Sequence, residues 1–367
     1  MTDSESLWAL GLMSGTSLDG MDAALVRTDG LVVEEVGFAA SQPYPEDFRA
    51  RLRKALGPSA VAMDAQTKTE LARDLADHHA ELCEVVLRES GIKPDVVGFH
   101  GQTLFHAPDP DRQPGKGVTV QIGDGQHLAD RLGIDVVGDF RTQDVSAGGE
   151  GAPFAPLYHW ARAAKLDRPL GVLNLGGVGN VTCIGKDDSL IAFDTGPGNA
   201  LLDDWILSKT GNRYDAEGAL SGLGRVDGHR LMALMTNDYF LRKPPKSIDR
   251  DDFSAEIVED LNVADGAATL AAFTVASVAR SRDFLGEAPA LWLVTGGGRH
   301  NKTIMQGLVE ALGVPVEPVE SAGWRGDYLE AEAFGFLAVR HLRGLPTSLP
   351  ETTAVPEPVV GGVLFRA

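Results

Sequence analysis

Two α/β domains of similar build are predicted by three observations: the length of the chain, the order of its apolar segments, and the repetition of that order. A chain of 367 residues with 43% apolar content exceeds what one hydrophobic core usually serves. Three strand-like segments open the chain, helical and strand-like patterns then alternate, and the same succession begins again at Gly171. The repetition predicts two domains, each starting with three strands, facing across a central cleft. The repeat is topological, with no matching of residues.

The first strand is Leu7 to Met13, which meets a turn at Ser14-Gly15-Thr16-Ser17. Ala23 to Arg27 and Leu31 to Ala39 continue as strands, giving a hairpin with a glycine-rich tip and a third strand. Asp64 to Ser90 is amphipathic, with Leu71, Leu75, Leu82 and Val86 at helical spacing. Strands return at Val96–Phe99 and Ile134–Phe140. The second succession has strands at Gly171, Asn180–Ile184 and Leu190–Phe193, helices over Ala200–Lys209 and Ala264–Phe284, the strand Leu291–Thr295, and helices from Asn301 and Tyr328. The turn-rich GGEGAPFAP between Gly148 and Trp160 marks the crossover, so the domains are placed at 1–145 and 146–350. A Pro- and Thr-rich stretch, Pro346–Pro358, leads into an irregular tail, 351–367.

The 33 basic and 52 acidic residues give a net charge of −19, which repels phosphodiester backbones and anionic bilayers. Nucleic acid and membrane are therefore excluded as partners. Cys83 and Cys183 lack the spacing of a zinc or redox pair and are read as buried small hydrophobes in a reducing compartment. With no basic stretch at the N-terminus and no long apolar run, the expected location is cytoplasmic.

Three glycine motifs carry chemistry. In GLMSGTSLDGMD, residues 11–22, the turn from Gly15 through Thr16, Ser17, Leu18, Asp19 and Gly20 to Met21 and Asp22 can cradle phosphate oxygens with backbone N–H groups and hydroxyls. It has no Walker lysine. Phosphate charge would be neutralised by magnesium, with Asp19 and Asp22 holding metal-bound water; the bland alternative is a plain hairpin tip. In FDTGPGN, residues 193–199, Asp194 ends an apolar strand just before Gly196 and is the candidate general base, the alternative being a cap on the helix that follows. In TGGGRHN, residues 295–301, Gly296, Gly297 and Gly298 stand between a strand and a helix N-terminus, where a nucleotide can approach the backbone.

Two polar clusters read as substrate contacts: His100, Gln102 and Thr103 in HGQT, joined by Gln121, and Asp139, Arg141 and Asp144 in DFRTQD. Arg141 suits an anionic substrate group, or an ion pair with Asp139 or Asp144. His106 is read as satisfied locally or solvated. His78 and His79 are read as surface residues of the long helix, Asp203 and Asp204 as a solvated helix face, and Lys246, in PPKS at the end of a helical segment, as solvent-exposed with a phosphate contact as the alternative.

The ordered set GLMSGTSLDGMD, HGQTLFH, DFRTQDVSAGGEGAP, NLGGVGN, FDTGPGN, PPKS and TGGGRHN resembles the anhydro-N-acetylmuramic acid kinases from about Gly11 to Leu337. The resemblance implies an actin-like ATPase fold of the ribonuclease H-like type, ATP with Mg2+, nucleotide contacts that include Gly176 and Gly177, and a homodimer. It implies a small anhydro-sugar substrate whose 1,6-anhydro bridge is opened and whose sixth oxygen is phosphorylated during cell-wall recycling. By the same resemblance Asp194 matches the family's base and Glu330 a sugar-contacting acid. Glu150 stands where Gln is expected, Thr295 where Cys is common, and Ile248-Asp249 where Thr-Gly is usual. The rivals are a kinase for another anhydro-sugar such as levoglucosan, or for an ordinary hexose, which would need no cation at Arg141 for a lactyl group, and an ATP-switched actin-like binding module, which would give no sugar phosphate.

Overall fold

The computed structural model describes residues 5–15, 17–109 and 113–367. They form two compact units, the first made of residues 1–165 and 328–367, the second of residues 166–327. The first opens with β1 (Leu7–Ser14), β2 (Gly20–Thr28) and β3 (Val33–Pro43), followed by α1 (Glu46–Ala55) and α2 (Ala65–Ser90). It continues through β4 (Val96–Phe99), the hairpin β5 (Gln102–Ala107) and β6 (Val118–Ile122), α3 (Gly125–Leu132), β7 (Val136–Gly138), α4 (Phe140–Ser146) and α5 (Pro156–Arg162). The second unit holds β8 (Leu170–Leu175), β9 (Val178–Ile184), β10 (Leu190–Pro197), α6 (Ala200–Thr210), α7 (Gly228–Met235), α8 (Val263–Ser281), β11 (Leu291–Thr295), α9 (Lys302–Leu312) and β12 (Val316–Pro318). The chain then returns to the first unit with α10 (Leu329–Leu342), α11 (Pro350–Thr353) and β13 (Val363–Phe365).

The two sheets have the same plan. Unit 1 runs β3-β2-β1-β4-β7 with β13 added at the edge, and unit 2 runs β10-β9-β8-β11-β12. In each, the second strand is antiparallel to both neighbours, while the first, fourth and fifth are parallel. This 3-2-1-4-5 order is that of the ribonuclease H-like sheet. Each unit has its own apolar core, one around Leu10, Leu25, Leu75 and Val97, the other around Leu173, Phe193, Trp205 and Phe273.

Local chemistry explains the elements. The Asp64 side chain accepts from Thr67 N–H at 2.9 Å, capping α2, and Gly91 in the left-handed region ends it. Its buried face holds the four predicted residues and also His79 and Cys83. Both cysteines are free and buried. Asn301 caps α9 by accepting from Ile304 N–H at 3.0 Å. Across the sheet of unit 1, α10 crosses β1 and β4 so closely that a Cβ on Gly11 would lie 1.7 Å from Ala331 O, and one on Gly98 2.0 Å from Phe334 O.

Several expectations are corrected. The units divide at Lys165 and Tyr328, not at 145 and 350, because α10 packs on the first sheet rather than continuing the second domain. The 351–367 tail is not irregular: β13 pairs antiparallel with β7. The strand expected over Ile134–Phe140 is only β7, since Asp139 takes φ 53° and Phe140 begins a helix. The β5–β6 hairpin and α1 were not anticipated. His79 is fully buried on α2 rather than exposed. Lys246 is also buried, at 2% exposure, and follows a 3-10 turn at Asp238–Leu241 rather than ending a longer helix.

Candidate functional site

In unit 1 the β1–β2 hairpin carries the phosphate-loop sequence. Ser14 pairs with Met21 at the tip, and Leu18 N–H donates to Gly15 O at 3.2 Å to close the turn; Thr16 lies outside the described residues. Ser17 is exposed. Leu18 and Met21, expected among the nucleotide contacts, are each 1% exposed and belong to the core. Gly20 is needed for packing, since a Cβ there would approach Gln42 O to 2.4 Å. Asp19 is exposed and faces Arg49 at 3.3 Å. Asp22, half-buried on β2, accepts from the Ser41 hydroxyl at 2.5 Å.

Behind this loop the polar cluster is assembled by β4, β5, β6, α4 and α10. His100 is 4% exposed. Its Nδ1 lies 3.1 Å from Ser14 O and its Nε2 3.1 Å from Arg141 Nη2, so the partners assign the proton to Nδ1 and an acceptor role to Nε2. Burial, then the Arg141 charge, holds this imidazole well below its ordinary pKa, in keeping with a neutral acceptor. Arg141 donates through Nη1 to Gly151 O at 2.6 Å and lies 5.7 Å from the Phe154 ring centre. Glu330, in the first turn of α10, has its pKa raised by burial and by Asp22, against the lowering effect of Arg141. Asp22 and Arg141 therefore each lie within electrostatic reach of Glu330.

Four of the predicted substrate contacts have polar groups engaged within the chain. His100 has both ring nitrogens engaged, as above. Gln102 is fully buried, and its amide donates to Gly15 O and Thr103 O, each at 3.2 Å. Thr103 donates to Gln121 Oε1 at 2.8 Å. Asp144 is fully buried, accepting from Gly151 N–H at 2.7 Å and the Thr353 hydroxyl at 2.6 Å; burial raises its pKa. These residues shape the loops around the cluster. Gln121 donates to His100 O at 2.7 Å and is only half-buried. Asp139, also half-buried, accepts from the Thr142 hydroxyl at 2.6 Å at the start of α4. His106 is satisfied locally, its Nε2 lying 2.8 Å from Glu150 O.

In unit 2 three glycine turns lock together at the strand ends. Asn199 N–H donates to Gly176 O at 2.7 Å and Gly198 N–H to Gly177 O at 2.9 Å, while the Asn199 amide donates to Leu175 O at 2.7 Å. A Cβ on Gly298 would lie 2.5 Å from Leu175 Cβ, and Gly296 takes φ +75°. The contact leaves no room for a side chain between Gly298 and the turn after β8. The Gly297 position is open, with only Asn199 Nδ2 at 3.9 Å. Gly196 is held by packing on α8, where a Cβ would meet Ser277 Cβ at 2.8 Å. Arg299, which the sequence reading passed over, braces the run: its guanidinium donates to Gly296 O at 2.9 Å, Glu320 at 3.0 Å and Asp327 at 2.8 Å. The signal was present, as Arg299 is the one long side chain inside TGGGRHN.

Asp194 lies at 6% exposure on β10, where the register with β9 shifts before Gly196. Its N–H donates to Lys246 O at 2.9 Å, its Oδ2 accepts from Ile248 N–H at 3.0 Å, and its carbonyl accepts from the Tyr239 hydroxyl. The cap of α6 is Asn199, so the capping alternative for Asp194 falls. Beside the glycine run, a cavity of about 920 Å³ opens between α8, α9 and the segment after α6; Ser221, Ala272, Val275, Thr303 and Gln306 line it. Thr303 stands in the first turn of α9, which follows the glycine run, and its hydroxyl donates to Gly218 O at 2.9 Å.

Two ribonuclease H-like sheets in one chain, with glycine turns at their strand ends, define the actin-like ATPase and sugar-kinase fold class. Comparison with known proteins gives the narrower group. The family model for anhydro-N-acetylmuramic acid kinase matches residues 7–367. A protein of that name from Rhodospirillum rubrum is 56% identical over 99% of this chain and 95% of its own length, and one from Acidiphilium cryptum is 52% identical over 98% of each. The chain belongs to the anhydro-N-acetylmuramic acid kinase family. It is a kinase, and ATP is its phosphoryl donor. Among solved structures, component A of (R)-2-hydroxyglutaryl-CoA dehydratase from Acidaminococcus fermentans aligns with a TM-score of 0.48 at 12% identity, covering 91% of this chain and 98% of that one.

Proposed function

We propose that the enzyme hydrolytically opens the 1,6-anhydro bridge of anhydro-N-acetylmuramic acid and phosphorylates O6, giving N-acetylmuramic acid 6-phosphate in cell-wall recycling. Family membership supports the substrate and the overall reaction. The observation that carries the mechanism is the fixed Asp194 carboxylate, held by Ile248 N–H next to the glycine turns. Asp194 takes a proton from water as that water attacks the anomeric carbon. The bond from the anomeric carbon to the bridge oxygen breaks, and this oxygen, retained on C6, attacks the γ-phosphorus of ATP while ADP leaves. The proton on Asp194 is then released to solvent. Glu330 contacts the sugar, the role its place in the family's motif implies. Arg141, held by His100 and Gly151 O, pairs with the lactyl carboxylate.

The β1–β2 loop and the turns at Gly176–Gly177 and Gly296–Gly298 take the phosphates through backbone N–H groups, and the cavity at Thr303 and Gln306 takes the nucleoside, being apolar with a few polar groups at its rim. Among the described residues no three His, Cys, Asp or Glu side chains form a metal cluster. The donor set still suits Mg2+, which keeps most of its waters; Asp19 and Asp22 would hold it through those waters. When bound, the ion neutralises charge on the phosphates. A homodimer is proposed from membership of the family alone. A cytoplasmic location is proposed from the need for ATP and the two unpaired cysteines. Among the described residues no helix is long and apolar enough to cross a membrane.

The test is Asp194→Asn, which should lower turnover by about 10² to 10⁴ while ATP still binds. Near-wild-type turnover would remove Asp194 from the role of base.

A further inference from the structure

The most heavily buried cation of unit 2 is not in any glycine motif. Lys246 is 2% exposed. A buried ammonium is costly unless its surroundings compensate, and here they do so in a specific way. Nζ donates to Tyr239 O at 3.0 Å and lies 4.3 Å from the Tyr239 ring centre, 4.6 Å from that of Phe284 and 5.9 Å from that of Phe193, all within cation–π range. Tyr239 in turn donates its hydroxyl to Asp194 O. The main chain at Lys246 accepts from Asp194 N–H, and two residues on, Ile248 N–H donates to Asp194 Oδ2. The charges facing the ammonium are Asp194 on β10, Arg242 behind the 3-10 turn and Arg280 on α8. Only Asp194 is opposite in sign.

We propose that Lys246 is a positioning residue for Asp194: its ammonium clamps the 244–248 segment to Tyr239 and β10, and through Ile248 N–H fixes the rotation of the carboxylate. The proposal rests on reading Asp194 as the base. A purely structural lysine would have little reason to be charged in this place. Burial, with Arg242 and Arg280 adding to it, brings the amine down to about 8, so the fold at neutral pH carries a charge it would be easier to omit. The charge is retained because it holds the segment that aims the base.

Lys246→Met tests this in the full-length enzyme, since methionine keeps the length and the contact with the rings but loses the ammonium. Turnover should fall by about 10- to 100-fold, the scale of a misplaced catalytic group, with KM for ATP changed by less than about twofold. The melting temperature should be unchanged or higher, because a buried charge has gone. The acid limb of the pH–rate profile should move to higher pH, because Asp194 loses both a hydrogen bond to its ionised form and a nearby positive charge. Wild-type turnover and an unmoved acid limb would overturn the proposal. So would a lower melting temperature with an unmoved limb, the mark of a merely structural residue. If Lys246→Met does not fold, Lys246→Gln decides: it keeps a donor for Tyr239 O and loses the charge, and an acid limb in the wild-type position overturns the proposal. Asp194→Asn, run in parallel, separates the two readings. An active Asp194→Asn sinks the base assignment, whereas an inactive one beside a wild-type-like Lys246→Met sinks only the positioning role.

Discussion

Gly98→Ala should damage the active site from within the core of unit 1. Gly98 lies on β4 opposite Gly11 of β1, and α10 passes over both, with Gly335 at the crossing. A methyl group at position 98 would lie 2.0 Å from Phe334 O and 2.5 Å from Phe334 C, both backbone atoms that cannot rotate aside. Since non-bonded carbon contacts are comfortable near 3.5 Å, α10 must retreat by about 1 Å or more. Overpacking usually costs about 1–3 kcal/mol, and an unyielding neighbour puts this variant at the upper end. Glu330 stands one turn before Phe334 on the same helix, so its carboxyl moves with it. A displacement of that size costs about 100-fold in turnover. Urea unfolding and kcat with the anhydro-sugar measure both effects. Gly228→Ala is the control, because nothing lies within 4 Å of its Cβ position, and it should leave both unchanged. Wild-type stability and turnover in Gly98→Ala would refute the packing of α10; lost stability with intact turnover would refute the role of Glu330.

Two further variants probe separate parts of the molecule. His79 is fully buried, neither ring nitrogen has a hydrogen-bond partner among the described residues, and its ring packs edge-on against Phe99 at 5.0 Å; burial, then His78, lowers its pKa to about 3. As pH falls from 6.5 towards 3 the unfolded chain binds a proton that the folded chain refuses, so stability drops by up to about 1.4 kcal/mol per pH unit. His79→Leu removes that loss. Its advantage over wild type in urea unfolding should grow by about 2 kcal/mol between pH 8 and pH 5, and an equal difference at both pH values would contradict the burial of a neutral imidazole. Ala272→Phe puts a ring into the cavity beside α9 and should raise KM for ATP about tenfold with KM for the sugar unchanged, the loss expected when a ligand pocket is partly filled. An unaltered KM for ATP would move the nucleoside elsewhere.

How much of this was legible beforehand depended on the kind of signal. The strands β1 to β4 of the first sheet and β8 to β11 of the second announced themselves as apolar runs, β12 did not, and the caps Asp64 and Asn301 stood where helical periodicity began. Asp194 was singled out because a carboxylate at the end of an apolar strand is chemically conspicuous. The return of the chain to the first unit was hidden, because the apolar face of α10 looks the same whichever core receives it. The close approach at Gly11, Gly98 and Gly335 that decides the matter is visible only in three dimensions. β13 was masked by the Pro-rich stretch before it. His79 could have been found: it stands four residues after Leu75 and three before Leu82, on the stripe that the leucines define. Lys246 could not, since nothing in PPKS says that Tyr239, Phe284 and Phe193 converge on its amine. The intrachain partners of His100, Gln102, Thr103 and Asp144 were not legible either, because residue type alone says nothing of which loop a polar group holds.

The fate of the oxygen of water tests the chemistry most directly. The enzyme is incubated with ATP, magnesium and anhydro-N-acetylmuramic acid in ¹⁸O-water, and the product is quenched quickly and fragmented by mass spectrometry. One labelled oxygen should appear at the anomeric carbon and none in the phosphate, because water attacks the sugar and the bridge oxygen receives the phosphoryl group. Label in the phosphate, or an unlabelled anomeric position, would contradict a base at Asp194 acting on water at the anomeric carbon.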